Sequence, residues 1–178
     1  KTLKKFLGED YIIESSVGHI RDLPKKDLGI DINNKFKTSY QISEGSKKVV
    51  KNLKSILKKV DELYLATDPD REGEAISWHL VECLQPSIPI KRMVFNEITK
   101  QAIIESFNNT REIDSNLVKA QESRRILDRL FGFLVSKKLW LNVAGGLSAG
   151  RVQSPAVKIL VDREKQRSGF IESEYWSI

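Results

Sequence analysis

Five residues, Leu63-Tyr64-Leu65-Ala66-Thr67, run into Asp68-Pro69-Asp70-Arg71-Glu72-Gly73-Glu74, after which helical periodicity begins. This junction constrains the fold more than any other stretch. The apolar run has the length of a buried strand, and the residue before Pro69 is kept extended by clash with the proline ring. Ile76, Leu80, Cys83 and Leu84 then share one helical stripe, and Pro86 marks the stop. A strand that feeds a helix through a tight turn is a building unit of parallel sheets, which gather their ligands at the carboxyl ends of the strands.

Asp68 and Asp70 sit two apart, a spacing that points both carboxylates the same way in extended backbone, with Glu72 one step further on. Two readings are open. Asp68, Asp70, Glu72 and Glu74 can complement the positive end of the helix dipole, as acidic first turns commonly do. Alternatively, Asp68, Asp70 and Glu72 offer oxygen ligands to a hard divalent cation such as Mg2+, which retains waters and touches phosphate. Four carboxylates around Arg71 and Gly73 exceed what capping requires, and the apolar stripe leaves this acidic mouth exposed.

Upstream, Leu3, Phe6 and Leu7 mark the later part of a helix over residues 1–7, stopped by Gly8. Residues 11–17 read as a strand closed by Gly18 and His19, residues 25–34 as a polar loop, and residues 36–42 as an edge strand. Residues 46–60 form an amphipathic helix with lysines opposite Val50, Leu53 and Leu57. Beyond the acidic helix come a strand at residues 92–95 and a helix N-capped by Thr99 that turns Ala102, Ile103 and Phe107 inward. This alternation predicts an α/β domain with a mostly parallel sheet flanked by helices. Asn108-Asn109-Thr110 breaks it, and a mainly helical segment follows until residues 175–178, which read as a strand.

Thirty Lys+Arg against 24 Asp+Glu leave a formal charge of +6, which favours a polyanionic partner. Within residues 114–135, Arg124, Arg125 and Arg129 stand opposite Leu117, Ala120, Leu127, Leu130, Phe131 and Leu134. Such a face can track successive phosphates, and it is equally the solvated side of an ordinary helix. In Gly145-Gly146-Leu147-Ser148-Ala149-Gly150-Arg151-Val152-Gln153-Ser154-Pro155, small residues allow close backbone approach, and a helix opening there aims free N–H groups outward. A plain glycine-rich turn with a serine cap is the competing reading. Cys83, the one cysteine, sits on an apolar stripe and reads as a buried thiol rather than a disulfide or zinc ligand. No apolar run reaches the ~18 residues of a membrane span and no secretory leader pattern is seen, so a soluble cytoplasmic protein is expected.

Taken together, SVGHIRDLP, ATDPDREGEAISWHL, RMVFNEIT, AQESRRILDRLFGFLVS and LSAGRVQSPAVKIL resemble the bacterial DNA topoisomerase I family, the type IA enzymes, in the family's order over nearly the whole chain. The resemblance implies a Toprim domain over residues 1–110 that lacks its first strand. It further implies the N-terminal part of a helical domain binding single-stranded DNA over residues 111–178, truncated at its end. It implies Mg2+ held by Asp68, Asp70 and Glu72, and DNA contacts from His19, Arg124, Arg125 and Arg129. The turn made of Ser148, Ala149, Gly150, Arg151, Val152 and Gln153 would contact the single strand, with Arg151 assisting at the scissile phosphate.

The activity implied is relaxation of negatively supercoiled DNA by transient single-strand cleavage, strand passage and religation. In the resembling family, the nucleophilic tyrosine lies in a domain beyond this stretch, so the chain alone is expected to be inactive. The remaining domains of the same polypeptide are the expected partners, in a bacterial, nucleoid-associated monomer. Another Toprim enzyme, a primase or nuclease, would share DPDREGE but not GLSAGRVQSPAV or AQESRR. A non-catalytic nucleic-acid-binding module would keep the basic helices and tolerate loss of Asp68 and Asp70.

Overall fold

The computed structural model describes residues 2–177; Lys1 and Ile178, the outer ends of the expected first helix and last strand, lie outside the described residues. Two compact units divide after Ile126. The first opens with α1 (Thr2–Leu7), and Gly8, at φ 97°, ends it by donating its N–H to the Lys4 carbonyl at 3.0 Å. The strand expected at residues 11–17 does not form. That segment runs along a groove of about 900 Å3 lined by Leu53, Leu57, Leu63, Leu65, Met93 and Phe107, and it has no strand partner among the described residues. Strand structure requires a paired backbone, whatever the side-chain pattern.

Four two-residue strands follow. β1 (Arg21–Asp22) and β2 (Ile30–Asp31) pair antiparallel with β4 (Gln41–Ile42) and β3 (Lys37–Thr38), respectively. The edge strand expected at 36–42 is therefore split between two partners, and the supposed loop at 25–34 contains β2. Lys35 and Phe36, at φ 50° and 59°, make the turn that returns the chain from β2 to β3, and the split falls after it, at Ser39 and Tyr40.

α2 (Lys47–Leu57) and β5 (Leu63–Leu65) form where the periodicity and the apolar run predict them. α3 (Arg71–Leu84) ends two residues before Pro86, with the intervening Gln85 left-handed at φ 48°. β6 (Ile90–Arg92) lies parallel to β5, from Leu63 opposite Ile90 to Leu65 opposite Arg92. The expected strand at 92–95 thus starts two residues early: Leu63 N–H reaches the Pro89 carbonyl at 2.9 Å, while Arg92 bridges to Arg111 at the other end. Ile20, Val50, Leu65, Leu80, Cys83 and Leu84 form the core that joins α2, β5 and α3, each large aliphatic contributing about 1.5–3 kcal/mol by leaving water. α4 (Lys100–Asn108) follows, its cap Thr99 accepting the Ala102 N–H at 3.3 Å and Ile103 fully buried.

α5 (Ser115–Asn142) starts in the first unit, where Asp114 accepts the Asn116 and Leu117 N–H groups at 2.8 and 3.2 Å and Val118 and Gln121 are buried. Within the second unit, its expected apolar residues Leu127 and Leu134 are more than half exposed, because nothing described there covers them. α6 (Gln153–Ser168) opens without a side-chain cap, so Ser148 does not serve as one. Pro155 lies in its first turn, where a missing N–H costs no hydrogen bond. Residues 175–177 form no strand, again for want of a partner. Among the described residues no helix is long and apolar enough to cross a membrane. The result is an α/β fold with a small parallel sheet, followed by helices.

Candidate metal and nucleic-acid site

The acidic turn is stitched to the strand that precedes it. Asp70 is the N-cap of α3, extended at φ −111°, and its carboxylate accepts the Gly73 N–H at 2.8 Å. Thr67 Oγ1 donates to the Gly73 carbonyl at 2.7 Å and lies 2.8 Å from Ser77 Oγ. Gly73 packs so tightly that an added Cβ would lie 2.8 Å from Asp68 N and 2.9 Å from Asp68 C, closer still to its carbonyl oxygen. Only glycine lets the helix begin this near the strand end.

Beneath the turn sits a buried arginine. Arg92 Nη1 donates to the carbonyls of Leu65 at 3.1 Å, Thr67 at 2.8 Å and Met93, and its Nη2 donates to the Asp68 carbonyl at 2.6 Å. Its Nε donates to Glu74 Oε1 at 3.0 Å, with both side chains wholly buried. Glu74 also accepts from Arg111 Nη2 and, at 3.1 Å, from the Asp114 N–H. Burial lowers the Arg92 pKa from its ordinary value, and the Glu74 carboxylate opposes that shift. Glu74 is therefore no part of an exposed mouth: it faces inward because an isolated guanidinium under the sheet would be prohibitively desolvated. Sequence reasoning missed this pair. The signal was an arginine opening the otherwise apolar Arg92-Met93-Val94-Phe95.

Asp68 and Asp70 are exposed, and the Glu72 side chain is 40% exposed. Among the described residues no group of three or more His, Cys, Asp or Glu side chains is arranged to hold a metal ion. Glu72 instead has three neighbours: Gln121 Nε2 at 3.3 Å, His19 Nε2 at 3.6 Å and Arg124 Nη1 at 3.8 Å. The structure thus brings His19 and Arg124 to Glu72. Arg125 is gripped by Asp22, its Nε at 3.0 Å and its Nη2 at 2.7 and 2.5 Å from the two carboxylate oxygens. That fork ties α5 to the strand following His19.

The remaining predicted residues belong to the second unit. Arg151 Nε donates to Asp128 Oδ1 at 2.5 Å, and this bond and the aspartate's charge hold the guanidinium's pKa above its ordinary value. Ala149 N–H donates to Ser136 Oγ at 3.0 Å, Gln153 Nε2 to Ser148 Oγ at 3.2 Å, and Ser154 N–H to the Gly150 carbonyl at 3.0 Å. Val152 is 64% exposed, and the Arg129 guanidinium lies over the Phe133 ring at 4.8 Å. Ser148 to Gln153 is an ordered turn whose cation is already directed, here by a carboxylate. Asp22 and Asp128, the acidic partners of two predicted phosphate ligands, carried no recognisable pattern in the sequence.

The Toprim domain model matches residues 1–98, and a DNA topoisomerase model matches residues 112–178, where a Toprim primase or nuclease would have no reason to match. DNA topoisomerase 1 of Synechococcus elongatus is 50% identical over 192 residues, covering 100% of this chain and 22% of that protein. The enzyme of the same name from Streptomyces coelicolor is 52% identical over 191 residues, covering 100% of this chain and 20% of its own length. The solved structure of full-length topoisomerase I from Thermotoga maritima superposes with a TM-score of 0.83 at 44% identity, over 96% of this chain and 29% of that one. The chain spans about a fifth of the length of these curated relatives. Joined to a buried-arginine strand end that displays Asp68, Asp70 and Glu72, these matches show that the chain belongs to the bacterial type IA DNA topoisomerase family, whose N-terminal region it matches.

Proposed function

We propose that this chain supplies the Mg2+-binding acidic turn and part of the single-strand path of an enzyme that relaxes negatively supercoiled DNA by transient cleavage, strand passage and religation. The observation that carries this reading is that the exposed acidic turn of Asp68, Asp70 and Glu72 is hydrogen-bonded to the strand end, with His19 and Arg124 reaching Glu72: carboxylates for a cation, and an imidazole and a guanidinium for a phosphate. Mg2+ typically takes one or two protein carboxylates and fills its other positions with water and phosphate. The exposed carboxylates of Asp68 and Asp70 suit that donor set, with Glu72 adjoining. When bound there, the ion would shield phosphate charge and help align the strand end for resealing.

This chain's own residues bind and orient. His19 and Arg124 address phosphates next to the acidic turn, and Arg125 fixes β1, just after His19, while adding positive charge. In the second unit Arg129 lines the strand's path, the turn from Ser148 to Gln153 grips the backbone, and Arg151 exchanges Asp128 for the scissile phosphate. Tyr64 donates to Glu62 at 2.6 Å, and burial raises its pKa; burial, then the nearby Glu122 charge, pushes Tyr40 to about 12. Both phenols are held further from the phenolate than free tyrosine, the opposite of what a nucleophile needs. The nucleophilic tyrosine belongs to the remaining domains of a cytoplasmic, nucleoid-associated monomer. We place the boundary between Toprim and helical domains at residue 110, a reading supported by its position between the two matched segments.

The test is fluorescence anisotropy of this chain with single- and double-stranded oligonucleotides of equal length at two salt concentrations. A preference for the single strand that weakens with salt and with Arg151→Ala supports the reading. Indifference to strandedness in folded protein refutes it.

A further inference from the structure

We propose that His79 is a positioning residue: through its Nδ1 acceptor it anchors Arg21 and thereby sets the segment that presents His19 to Glu72. Arg21 Nε donates to His79 Nδ1 at 2.6 Å. The guanidinium lies over the Trp78 ring at 4.7 Å and the Tyr40 ring at 5.1 Å, with Nη2 3.9 Å from Glu82. The His79 ring packs 4.7 Å from both Tyr40 and Trp78 and is 2% exposed. An aromatic box of this kind holds a planar cation by its faces, and the imidazole nitrogen fixes its rotation.

The spacing gives the box its purpose. Glu72 and His79 are seven residues apart on α3, two helical turns, and so lie on one stripe. His19 and Arg21 flank the buried Ile20, and both side chains reach α3. One stripe of α3 therefore holds two alternate residues of the same segment: His19 at 3.6 Å from Glu72, and Arg21 on His79. The next residue, Asp22, is held from α5 by the Arg125 fork. Arginine has donors only, so the bond requires an imidazole that accepts at Nδ1 and keeps its proton on Nε2. Burial, followed by the Arg21 charge, keeps His79 in that neutral form, with its pKa pushed down to about 3.

A histidine that merely fills space among aromatic rings would need none of this, and two substitutions separate the cases. His79→Asn retains an acceptor where Nδ1 stood, whereas His79→Phe retains the ring and loses the acceptor. In 1H–15N spectra of the chain, the Arg21 Nε–H signal should persist in His79→Asn and change in His79→Phe, whereas the His19 ring, 6.4 Å from the His79 ring, shifts in both. Because the inference rests on His19 meeting DNA, both variants are also measured for single-strand affinity with and without His19→Ala. We expect His79→Phe to weaken binding about fivefold, the scale of one lost hydrogen bond, and His79→Asn to leave it within about twofold. In the His19→Ala background, His79→Phe should add nothing. Identical spectra for the two His79 variants, or additive losses of affinity, would overturn the positioning role. Unchanged affinity for His19→Ala, with the spectra behaving as expected, would retain the positioning role and remove only the DNA contact assigned to His19.

Discussion

Replacing Gly73 by alanine sets two general effects against each other at one atom. In an average helix the change stabilises by up to ~1 kcal/mol, because glycine loses more backbone entropy. At Gly73 the new Cβ would meet Asp68 N and C at 2.8 and 2.9 Å, and both are main-chain atoms that no rotamer change can withdraw. Relief requires moving the first turn of α3 off β5. That motion strains the Asp70 cap, worth ~1 kcal/mol, and the Thr67 bond to the Gly73 carbonyl, on top of ~1–3 kcal/mol for overpacking. The net expectation is a loss of ~2–3 kcal/mol, or a melting temperature lower by about 4–12 °C for a chain of this size. Gly132→Ala is the control, since in α5 its Cβ would meet only the Ala149 carbonyl at 3.8 Å, and it should stabilise by up to ~1 kcal/mol. Urea and thermal unfolding followed by circular dichroism measure both. If Gly73→Ala proves as stable as Gly132→Ala, the close approach of helix to strand does not govern the acidic turn and the reasoning fails.

Glu74→Gln leaves Arg92 charged and wholly buried, so unfolding should become easier by ~3 kcal/mol in urea titrations; a change below ~1 kcal/mol would mean that the surrounding carbonyls or water suffice for the guanidinium. The Asp68→Asn, Asp70→Asn double variant should keep the fold, since asparagine caps helices as well as aspartate, while losing Mg2+ binding in calorimetric titration; retained binding would move the metal elsewhere. His79 has a folded-state pKa near 3, lowered by burial, then by Arg21 and His19, with Asp22 opposing. The unfolded chain, with its histidine near ~6.5, takes up that proton first. Its contribution to stability is therefore complete above pH ~6.5 and falls as pH drops towards 3, by up to ~1.4 kcal/mol per unit. Unfolding free energies of wild type and His79→Asn across that range should converge at low pH; parallel curves would count against it.

The parts legible from the chain were those whose physics is local. The periodicity of α2 and α3, the Thr99 cap and the turn after Thr67 each depend on neighbours within a few residues. The two-residue arms β1 to β4 left no period to read, because Arg21 and Asp22 are strand only by virtue of Ile42 and Gln41. Residues 11–17 erred the other way: their pattern suits a strand, but pairing is a property of two segments. In the site, Asp70 and Glu72 were visible as an acidic turn. Glu74, one step on, could not be told from them until Arg92, 18 residues away, drew it inside. Asp22 and Asp128 were illegible for the same reason, each meaning something only against its arginine.

On the proposed function, Arg92 would also bear on which cation the turn suits. A single guanidinium occupies the carbonyls of Leu65, Thr67, Asp68 and Met93, the main-chain oxygens that a strand end ordinarily offers to an ion. Calcium, which gathers six to eight oxygens and relies on carbonyls to reach that number, meets a strand end where those carbonyls are already engaged. Magnesium, content with one or two carboxylates and a shell of water, loses nothing by it. At the proposed site the discrimination would be made by subtraction: an arginine that never touches the metal would remove the ligands that the competing ion needs.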